Sequence, residues 1–263
     1  MNALAHAIAV ILFAAATGWP PPALAVDRDR DLATDAARAT FERFTGSPLR
    51  AGFRVEPTLV PRYYTLRSDV PGRGGVYFRE DMAWTANVRG PGWSAADGSH
   101  SSPKALAAWY REVVLSLPLD RLVPVKRETP FVAVIWSAPD CPVCRKLEAS
   151  LEAAGASVYV APVGLSEEGF RRAAQAYCAR DSGAAWRAAM GGQKANPESV
   201  GARADCGYPR DQMVDLGYFL GRGRLATPLV VFADGTGITG WDDRLGPERL
   251  REMLSGKRFF SAR

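Results

Sequence analysis

Histidine is almost missing from this 263-residue chain, which holds only His6 and His100. His6 lies in an apolar leader and His100 stands alone in a small, polar stretch. A His-based catalytic triad and a multi-His metal site are therefore excluded as organising features. Blocks of like charge are lacking too. The net charge is +5, but 33 basic and 28 acidic residues are interleaved along the chain, the pattern of a solvated basic surface rather than a nucleic-acid tract. No apolar run is long enough to span a bilayer comfortably. Cysteine is scarce, with four in all, of which only Cys141 and Cys144 are close neighbours. Against these absences, 47% apolar and 23% charged residues describe a globular protein, and the length suits two ordinary domains.

Residues 1–25 carry no charged side chain and contain the apolar run Ala7 to Ala16, Gly18, three prolines and Ala23-Leu24-Ala25. This reads as a secretory signal peptide cut after Ala25, although the usual basic n-region is missing; an uncleaved anchor is the alternative. Export would place the cysteines where disulfides can form.

Apolar spacing predicts a helix over 31–44. Short runs at 53–60, 62–67, 76–79 and 83–89, punctuated by Pro71-Gly72, Gly74-Gly75 and Gly90-Pro91-Gly92, predict a small antiparallel sheet. Its aromatics Tyr63, Tyr64, Tyr77, Phe78 and Trp84 are read as packing residues. Residues 95–102 form a plausible joint. Ser102 and Pro103 then open a helix through Leu117, which Pro118 stops.

From Pro130 the pattern is strand (131–136), Cys141-Pro142-Val143-Cys144, helix (144–154), Gly155 and strand (157–163), a βαβ unit. Residues 166–223 are helical, with segments at 167–180, 184–190 and 210–220. Thr227-Pro228 introduces two β runs, 229–233 and 237–241, hinged at Asp234-Gly235, before a last helix at 247–254. Together these elements spell an α/β thioredoxin-like fold with a helical insertion.

The chemistry lies where the first of these strands hands over to its helix. A helix start offers unpaired N–H groups and the positive end of the helix dipole, both of which favour a thiolate. Cys141 is accordingly read as a redox nucleophile, the more exposed of the pair, and Cys144 as its resolving partner. Arg145 and Lys146 are read as solvated cations.

Residues from about 130 to 255 resemble the catalytic domain of bacterial periplasmic disulfide isomerases of the DsbC and DsbG type. The resemblance rests on Trp136-Ser137-Ala138-Pro139-Asp140, the CPVC motif, Tyr177-Cys178-Ala179-Arg180, Ala204-Asp205-Cys206 and Thr227-Pro228. Residues 26–100 resemble that family's small α+β, cystatin-like dimerisation domain in layout, 101–125 its linker helix, and 126–263 its catalytic domain with an insertion at about 164–223. The resemblance implies a cis Thr227–Pro228 bond facing the motif and binding extended substrate. It also implies a periplasmic homodimer acting on unfolded or misoxidised exported proteins, with a membrane thiol reductase as electron donor and no cofactor. Cys178 and Cys206 are read as a structural disulfide, in line with the resemblance, closing a loop of about 28 residues and contributing roughly 3–4 kcal/mol in the chain-entropy model. A four-cysteine zinc site is the weaker alternative, and no metal is expected. Rival readings are a monomeric DsbA-like oxidase, a specialised reductase, and a non-catalytic chaperone or secretion accessory.

Overall fold

The computed structural model describes residues 22–70, 75–87, 93–95, 103–192, 206–221, 224–242, 244, 246–257 and 260. Most of the expected signal segment, the 96–102 joint with His100, and 193–205 of the insertion lie outside them.

Helix α1 (Pro22–Thr45) begins well before the expected residue 31. The Ala, Leu, Arg and Asp residues of 23–31 contain no breaker, so the helix continues backward through Ala25. It is followed by β1 (Phe53–Pro57), β2 (Tyr63–Ser68), β3 (Val76–Arg79), β4 (Trp84–Asn87) and β5 (Trp93–Ala95), an antiparallel meander in sequence order. Alternation divides the aromatics of this sheet between its faces. Tyr64 and Phe78 pack with Ala37 and Phe41 of α1 and with Met82. Tyr63 and Tyr77 join the larger core on the other side.

The second sheet contains β6 (Val123–Val125), β7 (Phe131–Ser137), β8 (Ser157–Pro162), β9 (Leu229–Phe232) and β10 (Gly237–Thr239), in the order β10-β9-β7-β8-β6. β7 and β8 are parallel and joined by α3 (Pro142–Ala153), whereas β9 and β10 form an antiparallel hairpin beside β7. This is the mixed sheet of a thioredoxin-like fold. Gly235 turns the hairpin at φ +82°. The short β6, paired antiparallel to β8, carries no sequence signal beyond a Val-Pro-Val triplet. Helices α4 (Glu167–Cys178), α5 (Ser182–Met190) and α6 (Arg210–Leu220) make the insertion, and α7 (Gly246–Ser255) closes the chain.

Helix α2 (Pro103–Leu115) is packed from both sides. Trp109, Tyr110, Val113 and Val114 are all buried. Trp109 Nε1 donates to Tyr63 Oη of β2 at 2.6 Å, and Tyr110 Oη donates to the Leu220 carbonyl of α6 at 3.0 Å. Phe219 of α6 completes the wedge, with its ring centroid 4.6 Å from Tyr77, 5.7 Å from Tyr63 and 5.5 Å from Trp109. One continuous apolar core therefore runs beneath both sheets.

A polar contact closes the edge of this interface. Arg67 of β2 pairs with Asp215 of α6 and also reaches Glu56 at 2.8 Å. Burial pushes the Asp215 carboxyl up, and the Arg67 guanidinium opposes that rise. Removing Arg67 would leave a largely buried carboxylate unpaired. Both partners keep some water contact, so Arg67→Ala should destabilise by about 2 kcal/mol, less than a fully buried pair would lose. Urea unfolding followed by tryptophan fluorescence checks this, and an unchanged midpoint would show that the pair contributes nothing.

Candidate redox site

β7 delivers its last residue, Ser137, to the C-terminal edge of the sheet, and Ala138-Pro139-Asp140 turns the chain into α3. The turn is held by the Cys141 N–H donating to the Ala138 carbonyl at 3.1 Å. Cys141 is the N-cap of α3, with extended backbone, and Pro142 occupies the first turn, where no N–H is needed. The Cys141 sulfur does the work usually done by a capping oxygen: it accepts the Cys144 N–H at 3.2 Å. It therefore sits on the positive end of the helix. Cys144, Leu147 and Leu151 form the buried stripe of α3. The far end of that helix is tied down by Arg127, which pairs with Glu148 and, at 2.7 Å, with Glu152.

The opposite wall comes from the segment before β9. Leu229 pairs with Trp136 in the sheet register, which brings Thr227 and Pro228 beside the end of β7. The Thr227–Pro228 bond is cis. The Cys141 thiol lies 3.6 Å from the Thr227 carbonyl, close enough to donate to it. On the far face of the sheet, Trp136 Nε1 donates to the Met213 carbonyl of α6 at 3.1 Å. Gly217 of α6 leaves room there for Trp136 and Leu225, which a Cβ would overlap.

Both thiols are free and buried, Cys141 at 3% exposure and Cys144 at 1%. The expected difference in exposure is thus slight, because the Thr227 carbonyl lies over the Cys141 sulfur. Their surroundings differ more. Burial, together with the hydrogen bond to Cys141, pushes the Cys144 thiol up to about 12. Arg145 and Lys146 are exposed on the outer face of α3.

Cys178 and Cys206 are bonded to each other, joining the end of α4 to the segment before α6 across 28 positions, with their Cα atoms 5.2 Å apart. That bond occupies both sulfurs. It is flanked by Tyr177 and Tyr208, whose centroids are 5.4 Å apart, and Tyr208 Oη donates to the Pro162 carbonyl at 2.8 Å. The insertion is in this way anchored to the end of β8. Among the described residues no cluster of His, Cys, Asp and Glu has the makings of a metal site. A cleft of about 1290 Å³ lined by Leu119, Val123, Tyr159, Tyr177 and Phe260 touches none of Cys141, Cys144, Thr227 or Pro228 and presents no thiol.

Asp140, which the sequence offered only as the end of the Trp136–Asp140 motif, is a site residue whose role was not read there. Its carboxylate accepts from the Leu165 N–H at 3.0 Å, the Ser166 N–H at 2.8 Å and the Ser166 hydroxyl at 2.7 Å. Ser166 also caps α4 through the Gly169 N–H at 3.1 Å, and a Cβ at Gly169 would run into the Asp140 carboxylate. The residue before the nucleophile thereby clamps the redox turn to the start of the insertion. Partial burial resists ionisation, but these donors outweigh it and hold the carboxyl below its ordinary value. Ser166 followed by Glu167 and Glu168 is a helix-start pattern in the sequence, but it does not point to Asp140.

Asp140→Ala should lose about 1–2 kcal/mol in urea unfolding near neutral pH, allowing for solvent screening. A depressed carboxyl stabilises above its unfolded value and ceases to as pH falls through its folded one, so the gap from wild type should shrink below pH 3.8. A gap constant down to strong acid would show that the charge is irrelevant. Separately, iodoacetamide at about pH 8 should leave Cys144 unmodified in the native protein and modify it after denaturation, read by peptide mass spectrometry. Rapid native labelling of Cys144 would contradict its burial and raised thiol.

No family model matches the chain, and no curated protein matches it. Among solved structures, it is similar to a disulfide interchange protein from Neisseria gonorrhoeae, at 26% identity over 52% of this chain and 98% of that one, with a TM-score of 0.44. It is also similar to DsbG from Helicobacter pylori, at 14% identity over 75% of this chain and 99% of that one, with a TM-score of 0.30.

Proposed function

We propose that this protein is a thiol-disulfide oxidoreductase that isomerises or reduces wrongly paired disulfides in exported proteins. The observation that carries the reading is the free Cys141/Cys144 pair at the start of α3, with the Cys141 sulfur held between the Cys144 N–H and the Thr227 carbonyl. A thiolate at Cys141 attacks one sulfur of a client disulfide, forming a mixed disulfide and releasing the other client sulfur as a thiolate. That released sulfur can attack elsewhere in the client and return Cys141 reduced, which is isomerisation. Alternatively, Cys144 attacks the Cys141 sulfur, leaving an oxidised Cys141–Cys144 pair and a client reduced by two electrons. Thr227 and Pro228 form the wall against which an extended client segment would lie.

For net isomerisation the pair must be kept reduced in an oxidising compartment, so the reading includes a membrane thiol reductase as donor. It also includes export to the periplasm on the signal segment 1–25 and a homodimer formed through the N-terminal region. No described helix is long and apolar enough to cross a membrane.

Recovery of scrambled ribonuclease by wild type and by Cys141→Ala tests the reading. Wild type should restore activity while the variant falls to the uncatalysed rate; equal recovery from both would leave only a chaperone. On a non-reducing gel Cys144→Ser should accumulate thiol-sensitive adducts with clients.

A further inference from the structure

The cleft that presents no thiol is built from segments far apart in the chain. The end of α2 and the turn after it supply one wall, the junction of α4 with α5 supplies another, and Tyr159 and Phe260 lie between them. Leu117, Val123, Tyr159 and Phe260 are buried, while Leu115, also in the lining, is left 41% exposed. At about 1290 Å³ the cleft exceeds the pockets of roughly 300–1000 Å³ that enclose small ligands.

Its polar groups are of both kinds. The Ser116 and Leu117 carbonyls, left over at the end of α2, accept no bond among the described residues. At the start of α5 the Asp181 carboxylate takes the Ala184 N–H at 2.9 Å, and the Ser182 and Gly183 N–H groups stay without a described partner. The Tyr159 and Tyr177 hydroxyls have none either. The charged side chains, Arg180 against Asp120 and Asp181, are mixed in sign. An anion with an apolar tail would meet two carboxylates and leave the acceptors unused. Apolar walls with spare donors and acceptors match a polypeptide whose side chains are uncharged and whose backbone offers both groups.

We propose that this cleft holds an extended, uncharged apolar stretch of an unfolded polypeptide while a cysteine of the same polypeptide engages Cys141. Helix α4 sets the distance. Its cap, Ser166, is bonded to Asp140 beside the nucleophile, and Tyr177 of the cleft lies eleven positions further along the same helix. At 1.5 Å per residue that is about 16 Å, which an extended chain covers in about five residues. Retention in the cleft would make the attack on Cys141 effectively intramolecular and raise its rate without any new contact at the sulfur.

The rate gain rests on the oxidoreductase reading, whereas occupancy of the cleft does not, and synthetic peptides separate the two. Each peptide carries one cysteine, held as a mixed disulfide with thionitrobenzoate, and a Leu-Phe-Val-Leu anchor about six residues away; a control has serines in place of the anchor. The Cys141 thiolate bonds to the peptide sulfur, the old S–S bond breaks, and coloured thionitrobenzoate leaves with the electron pair. Reduced full-length protein should react about tenfold faster with the anchored peptide than with the control. Leu115→Glu combined with Leu119→Glu should remove that gain and leave the control rate unchanged, whereas Leu32→Glu, at a leucine 60% exposed on α1, should keep it. Equal rates for both peptides on wild type, or a gain that survives in the double variant, overturns the cleft. A gain that persists when the spacer is cut to one residue overturns the reach to Cys141. Release from neither peptide overturns the oxidoreductase reading; a cysteine-free anchored peptide then decides the cleft by fluorescence anisotropy, binding wild type but not the double variant if the proposal holds and binding both alike if it fails. Should the double variant not fold, benzoylphenylalanine in the anchor, photolysed on wild type, should crosslink within 115–124 or 177–183, and crosslinks confined elsewhere refute the site. A wild-type dimer that the double variant dissociates, seen by light scattering without any peptide gain, gives the cleft to a second copy of the chain and refutes it as well.

Discussion

The confinement of β7 on every side is the constraint on which the site depends. β8 lies parallel on one flank and β9 antiparallel on the other, and six of its seven residues are buried. A one-residue slip of this strand would exchange the side chains of its two faces, putting Trp136 and Ser137 each on the side shaped for the other. Its register therefore fixes which face each of the last two residues serves. Trp136 is committed to α6, Ser137 to the opposite face, and the chain leaves the sheet at one defined point. The reactive turn has little freedom left to specify for itself.

The two cysteines of that turn are treated in opposite ways by the same short helix. Cys141 substitutes for a capping oxygen and meets the helix at its positive end. Cys144, three positions on, points into the apolar stripe and is held as a thiol. Such asymmetry suits a pair in which one sulfur opens the exchange and the other finishes it. Asp140 extends the arrangement sideways, since its clamp on Leu165 and Ser166 connects the turn to α4, and α4 ends at the disulfide with Cys206. Disulfide, insertion and redox turn form one mechanical unit.

The parts of this architecture that were legible in the sequence are those that repeat with a period or break one. The run 131–136, the CPVC motif, Gly155 and Asp234-Gly235 located the βαβ unit and the hairpin because burial and turn chemistry leave a local mark. β6 was not legible: three residues, one of them proline, have no period, and tertiary pairing with β8 alone makes them a strand. The role of Asp140 was also hidden: the residue stood in the quoted motif, but it acts through Leu165 and Ser166, 25 and 26 positions on, and a single chain does not record that distance. Helix α2 was found at its correct start, but the neighbours it packs against were not. Its broad apolar face was visible, whereas the aromatic neighbours that surround it come from β2, β4 and α6, which no local pattern joins.

That last feature bears on how the chain comes into being. The partners of Arg67 and Pro57 in α6 lie 148 and 155 positions further along. At a translation rate of about 5–20 residues per second, α6 follows the N-terminal sheet by roughly seven to thirty seconds. During that interval Tyr63, Tyr77 and Trp109 have no Phe219 to cover them. The nascent polypeptide thus presents an aromatic surface that only its own late-made helix can close, a window in which a holding factor has something to grip.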